Sequence, residues 1–146
     1  MKTILVNMVV CRDAQGGDGW QDTPAMIADF EELIAQVNLN YADPGTMGWP
    51  MTCPPSIPYL ADSRIRFKFN HAYFLDNDAF NNYNSLASPS AILDYLWANY
   101  PESKNAFNHI WTQPDVNIWS GGWWGFYSVY GGESYALTRN AMWGSS

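Results

Sequence analysis

The chain has 146 residues, of which 47% are hydrophobic and only 14% are charged, and its formal net charge is −7. This length and hydrophobic content predict a single folded domain over residues 1–146 and exclude a disordered chain. With 7 Lys and Arg residues in an acidic chain, we expect no basic patch for nucleic acid and no attraction to an anionic membrane surface.

Few charges combined with many Trp and Tyr residues are typical of secreted proteins, so we expect an extracellular location. In that setting Cys11 and Cys53 could form one disulfide, and the alternative is two buried free thiols.

The first half of the chain predicts a strand, a helix and a second strand. Residues 3–10 are a continuous apolar run, typical of a central strand covered on both faces. They imitate a short signal peptide, but Asn7 interrupts the run and we favour the strand. Thr23 can cap a helix over residues 23–41, with Pro24 at its first position. Residues 64–73 alternate, which predicts a strand with one buried face. That face would carry Ile65, Phe67, Phe69, His71 and Tyr73.

The second half is less regular. Ser88 and Pro89 open a second helix that Pro101 ends, and the spacing of apolar residues over 106–110 predicts further helical turns. Residues 116–119 predict a short strand, and residues 121–132 predict a glycine-flanked strand or hairpin. This order predicts an α/β fold, in which a twisted mixed sheet of about four to five strands is backed by two helices.

Few residues suggest a ligand site. We interpret His71 as a core residue and His109 as a helix-end residue rather than as metal ligands. Asp76 and Asp78 lie in an Asn-rich segment and could supply oxygen atoms to calcium, with a plain turn as the favoured alternative. The densest aromatic cluster could stack on a sugar ring or a partner chain, or could pack under another segment. It comprises Trp119, Trp123, Trp124, Phe126, Tyr127 and Tyr130.

Four segments in order resemble the pappalysin-like branch of the metzincin zinc metalloproteases. They are TILVNMVV (3–10), TPAMIADFEELIAQVNLNYA (23–42), RIRFKFNHAYFLDND (64–78) and AFNHIWTQPDVNIWSGG (106–122). The resemblance implies the N-terminal, upper part of a secreted catalytic domain. It also implies that a helix with an HExxH motif, which binds zinc, would follow Ser146.

The chain itself has no HExxH motif, so we expect no zinc ligands and no peptidase activity in these residues alone. The resemblance implies a peptide or protein substrate held against an edge strand within residues 122–132, or a companion C-terminal segment as partner. The alternative is an extracellular structural or binding protein that uses the aromatic cluster for glycan binding or self-association.

Overall fold

The computed structural model describes residues 1–17, 20–43, 62–81, 89–112 and 125–139. These residues form the mixed α/β fold that the sequence predicts. The strands are β1 (Lys2–Arg12), β2 (Ile65–Asp76), β3 (Phe107–Thr112), β4 (Gly125–Tyr130) and β5 (Glu133–Arg139). The helices are α1 (Pro24–Ala42), α2 (Asp78–Asn81), α3 (Pro89–Asn99) and a 3₁₀ helix (Pro101–Asn105).

The strands lie in one sheet in the order β2-β1-β3-β5-β4. β1 pairs in parallel with both β2 and β3, and β3 pairs in parallel with β5. β4 pairs antiparallel with β5. β1 therefore has a strand on each side, which confirms the prediction of a central strand from its continuous apolar run.

The sheet is covered on both faces, because alternate residues of β1 enter different core clusters. On one face Val6, Met8 and Val10 pack with Phe30 and Ile34 of α1. On the other face Val9 and Cys11 pack with residues of α3, namely Ile92, Leu93 and Leu96. The two backing helices thus lie on opposite faces of the sheet.

The start of α1 has the N-terminal cap that the sequence predicts. Thr23 is extended, and its Oγ1 accepts a hydrogen bond from the Met26 N–H at 3.2 Å. Pro24 occupies the first helical position, where its missing N–H leaves no helical bond unmade. The predicted cap is therefore confirmed.

The prediction of one buried face along β2 is wrong. Val6 of β1 pairs with Phe69 of β2, and the next residue, Asn7, pairs with His71. The register therefore shifts by one residue, and Asn70 is an extra residue in β2. Such a β-bulge reverses which side chains point to each face. Phe67 and Phe69 pack in the α1 cluster, whereas Tyr73 packs in the α3 cluster.

The predicted helical turns over residues 106–110 are also wrong. The 3₁₀ helix ends at Asn105, and Phe107 begins β3. Because β3 is covered on both faces, its apolar residues do not alternate with polar ones. Phe107 and Ile110 are three residues apart, and that spacing is also typical of a helix. The predicted strand over residues 116–119 lies outside the described residues.

Candidate functional site

The candidate site is the edge of the sheet formed by β4. Among the described strands, β4 stands at the end of the order and pairs only with β5. Phe126 is opposite Leu137, and Tyr130 is opposite Glu133. The other side of the β4 backbone is not paired with a described strand, which makes it the candidate edge for pairing with another extended chain.

A tight turn links β4 to β5 and fixes their register. Gly131 and Gly132 have φ angles of 57° and 86°, as a two-residue turn with positive φ at both central positions requires. A Cβ atom at Gly131 would lie 3.0 Å from Cζ3 of Trp97. The turn therefore lies directly against α3, which anchors one end of β4 to the rest of the fold.

Sequence reasoning placed six aromatic residues at or near this edge. Phe126, Tyr127 and Tyr130 lie on β4, whereas Trp119, Trp123 and Trp124 lie outside the described residues. The structure thus brings half of the predicted set onto one edge strand.

A network of three asparagines, of which Asn7 and Asn108 are buried, crosses the sheet and was missed by sequence reasoning. The Asn7 Nδ2 donates to Asn108 Oδ1 and to the Ser103 carbonyl, both at 3.0 Å. Asn70 Nδ2 donates to Asn7 Oδ1 at 2.8 Å, and Asn108 Nδ2 donates to the same Ser103 carbonyl at 3.1 Å. The signal was the polar Asn7 within an apolar central strand. We call Asn7, Asn70, Asn108 and Ser103 the asparagine network.

Beside this network lies a polar and aromatic patch on β2. The interpretation of His71 as a core residue is wrong, because the bulge at Asn70 leaves it exposed on β2. Its ring contacts Tyr73 at 4.7 Å, and Tyr100 contacts Tyr73 at 5.0 Å. The Tyr73 hydroxyl donates to Glu102 Oε1 at 3.4 Å. Burial, and secondly the Glu102 charge, raise the pKa of Tyr73, so this phenol is a hydrogen-bond donor and not a base at neutral pH.

Asp76 and Asp78, the candidate calcium ligands, already have protein partners. Arg12 donates to both Asp76 oxygens, from Nε at 2.7 Å and from Nη2 at 3.0 Å. Asp78 Oδ1 accepts the Ala14 N–H at 2.8 Å. A cation would have to compete with the guanidinium of Arg12 for Asp76, and the calcium site stays a prediction.

Cys11 is a buried free thiol. Burial raises its pKa to about 12, so the sulfur is protonated and a poor nucleophile at neutral pH. Cys53 lies outside the described residues. Because Cys11 is free, the disulfide is not formed at Cys11 in this structure and stays a prediction.

The predicted helix-end position of His109 is wrong, because the residue lies in the middle of β3. Its ring contacts Trp111 at 4.6 Å. Desolvation by burial lowers the pKa of His109 to about 4, so the imidazole is neutral at pH 7.

A cleft of about 440 Å³ runs beside α1. Trp20, Met26, Phe30 and Leu33 give it an apolar floor, and the polar residues Asp29, Glu32 and Gln36 also line it. Trp20 is fixed by the rings of Phe30 at 5.2 Å and Trp111 at 4.7 Å. None of these lining residues is a Ser, Thr, Cys, Lys or His, and the carboxylates of Asp29 and Glu32 are the only ionisable groups among them.

Within the described part of the chain, no three His, Cys, Asp or Glu side chains converge as a metal site would require. None of the helices described is long and apolar enough to cross a membrane. Comparisons with protein-family models, curated proteins and solved structures found no match to the chain.

Proposed function

We propose that the chain is the N-terminal portion of a secreted, metzincin-like zinc metallopeptidase domain. In this proposal it serves as a scaffold that holds a peptide or protein substrate in extended form against β4. The single observation that carries the proposal is that one antiparallel strand forms an edge of an otherwise parallel sheet. β4, at Gly125–Tyr130, falls inside the segment 122–132 where the resemblance implies a substrate edge.

Strand addition has a simple physical basis at β4. Backbone N–H and C=O groups on the open side of an edge strand can pair with an extended peptide of almost any sequence, while neighbouring pockets select its side chains. The sequence has no HExxH motif, so in this proposal zinc would be held by a C-terminal portion. We therefore expect no peptide hydrolysis by residues 1–146 alone.

A pair of proline variants tests strand addition. Successive N–H groups of an antiparallel strand point alternately to the partner strand and away from it. One of Tyr127→Pro and Ser128→Pro therefore removes a donor to β5, and the other removes a donor on the open side. We expect the variant that loses the open-side donor to keep the wild-type melting temperature. We expect the same variant to bind a labelled hexapeptide library more weakly by about tenfold or more.

Tyr127→Ala and Ser128→Ala serve as controls for loss of the side chain alone. Undiminished peptide binding by the proline variant that remains folded would contradict strand addition at β4. The zinc portion of the proposal is tested separately, since it requires an HExxH motif encoded downstream of Ser146 or in a companion chain.

The alternative function is glycan binding or self-association through aromatic residues. Its support is that Phe126 and Tyr130, four residues apart on β4, occupy positions on the same face of the sheet. A glycan-array signal that disappears in the Trp123→Ala, Trp124→Ala double variant would favour this alternative, and an array without signal would exclude it for the glycans tested.

A further inference from the structure

The edge of the sheet opposite β4 is formed by β2, and side chains bond to its outward backbone groups. β2 stands at that end and pairs only with β1 among the described strands. On such a strand every second residue directs both its N–H and its C=O away from the sheet. Those outward groups would allow another chain to pair with β2 unless something occupies them.

At Phe67 the outward groups are both occupied by one side chain. The Phe67 N–H donates to Asn38 Oδ1 at 2.6 Å, and Asn38 Nδ2 donates to the Phe67 carbonyl at 2.7 Å. A side-chain amide presents an acceptor and a donor side by side, as the backbone of a neighbouring strand does. Asn38, from α1, therefore takes the place of a pairing strand at this residue.

Ile65 has the same orientation as Phe67, two residues away, and its outward groups are also occupied. Its N–H donates to Ser63 Oγ at 3.2 Å, and its carbonyl accepts from Arg66 Nη1 at 2.8 Å. Each of these side chains is itself held in place. Ser63 Oγ donates to the Tyr41 carbonyl at 2.7 Å, and Arg66 forms two hydrogen bonds of 2.9 Å with Asp62.

We propose that Asn38, Ser63 and Arg66 form an edge cap that prevents the first part of β2, from Ile65 to Phe67, from pairing with the β2 strand of a second copy of this chain. A second copy is the relevant partner because it presents the same edge, and two such edges related by a two-fold axis form a self-complementary antiparallel pair. The closure of β2 does not depend on whether β4 binds peptide.

The variant Asn38→Ala tests the edge cap, with Asn40→Ala as the matched control. Asn40 is an exposed residue of the same helix, and the chemical change is identical. We expect amide exchange at Phe67 to quicken at least about tenfold in Asn38→Ala. We also expect its sedimentation coefficient to rise with protein concentration beyond that of the wild type, while Asn40→Ala follows the wild type.

Two results would overturn the proposal: unchanged exchange at Phe67, or faster exchange with wild-type sedimentation. If Asn38→Ala does not fold, Arg66→Met decides the question, because it frees the Ile65 carbonyl through a partly exposed side chain. Concentration-dependent association of Arg66→Met supports the edge cap, and its absence at the concentrations used overturns it. No peptide ligand enters either experiment, so the outcome is independent of the function proposed for β4.

Discussion

Asn7 is a polar residue on the central strand, and its side chain is fully buried. Its amide donates two hydrogen bonds and accepts a third, so the cost of removing the amide from water is largely offset. Its partners lie on β2, on β3 and in the 3₁₀ helix. The asparagine network therefore fixes the position of β2 and β3 relative to β1 by specific bonds as well as by apolar packing.

We predict that Asn7→Ala lowers the free energy of unfolding by about 2–3 kcal/mol, because it leaves Asn108 Oδ1 buried without its donor. Asn70→Ala is the comparison, since Asn70 is exposed and water can replace its bond to Asn7 at a cost of about 1 kcal/mol or less. Urea denaturation of both variants measures the difference. Equal losses in the two variants would contradict a cooperative role for the buried part of the network.

At the scale of elements, α1 shows what local sequence can determine. Its cap and its proline at the first position depend on neighbouring residues only, and both were predicted. The bulge at Asn70 was not predictable, because it depends on pairing with β1, which is distant in sequence. β3 was mistaken for helical turns because it is a short strand covered on both faces, so its apolar residues show no alternation. At the candidate site, the edge segment was predicted from resemblance, whereas the asparagine network and the edge cap require tertiary contacts.

We predict that Thr23→Ala lowers the free energy of unfolding by about 1 kcal/mol, because the Met26 N–H loses its acceptor at the start of α1. Thr23→Ser keeps a hydroxyl and should restore most of that loss. Thermal unfolding followed by circular dichroism distinguishes the two variants. A serine variant as unstable as the alanine variant would show that the cap is not the source of the effect.

At the scale of the whole molecule, the two sheet edges are unequal, and the sequence is strongly acidic. The isoelectric point is about 4.4 and the net charge is −7 at pH 7, so copies of the chain repel one another at neutral pH. Repulsion falls as the carboxylates are protonated. The edge cap and the net charge therefore oppose self-association in different ways, and the net charge is the one that falls as pH approaches the isoelectric point.

The same pH range also affects stability through His109. Its folded-state pKa of about 4 lies below the value of about 6.5 expected in the unfolded chain. The unfolded state therefore binds a proton first, and folding stability falls as pH decreases from about 6.5 to about 4. One pKa unit corresponds to about 1.4 kcal/mol, and His109 as a residue is only half-buried, so we expect a loss on the order of 2 kcal/mol from it.

We predict that His109→Phe reduces the loss of stability between pH 6.5 and pH 4, because phenylalanine takes up no proton in either state. His71→Gln is the control for replacing a histidine outside the core, since His71 is exposed on β2. Urea denaturation at several pH values gives the required slopes, and any constant offset from altered packing does not affect them. A His109→Phe slope equal to that of the wild type would mean that carboxylates, and not the His109 imidazole, control acid unfolding.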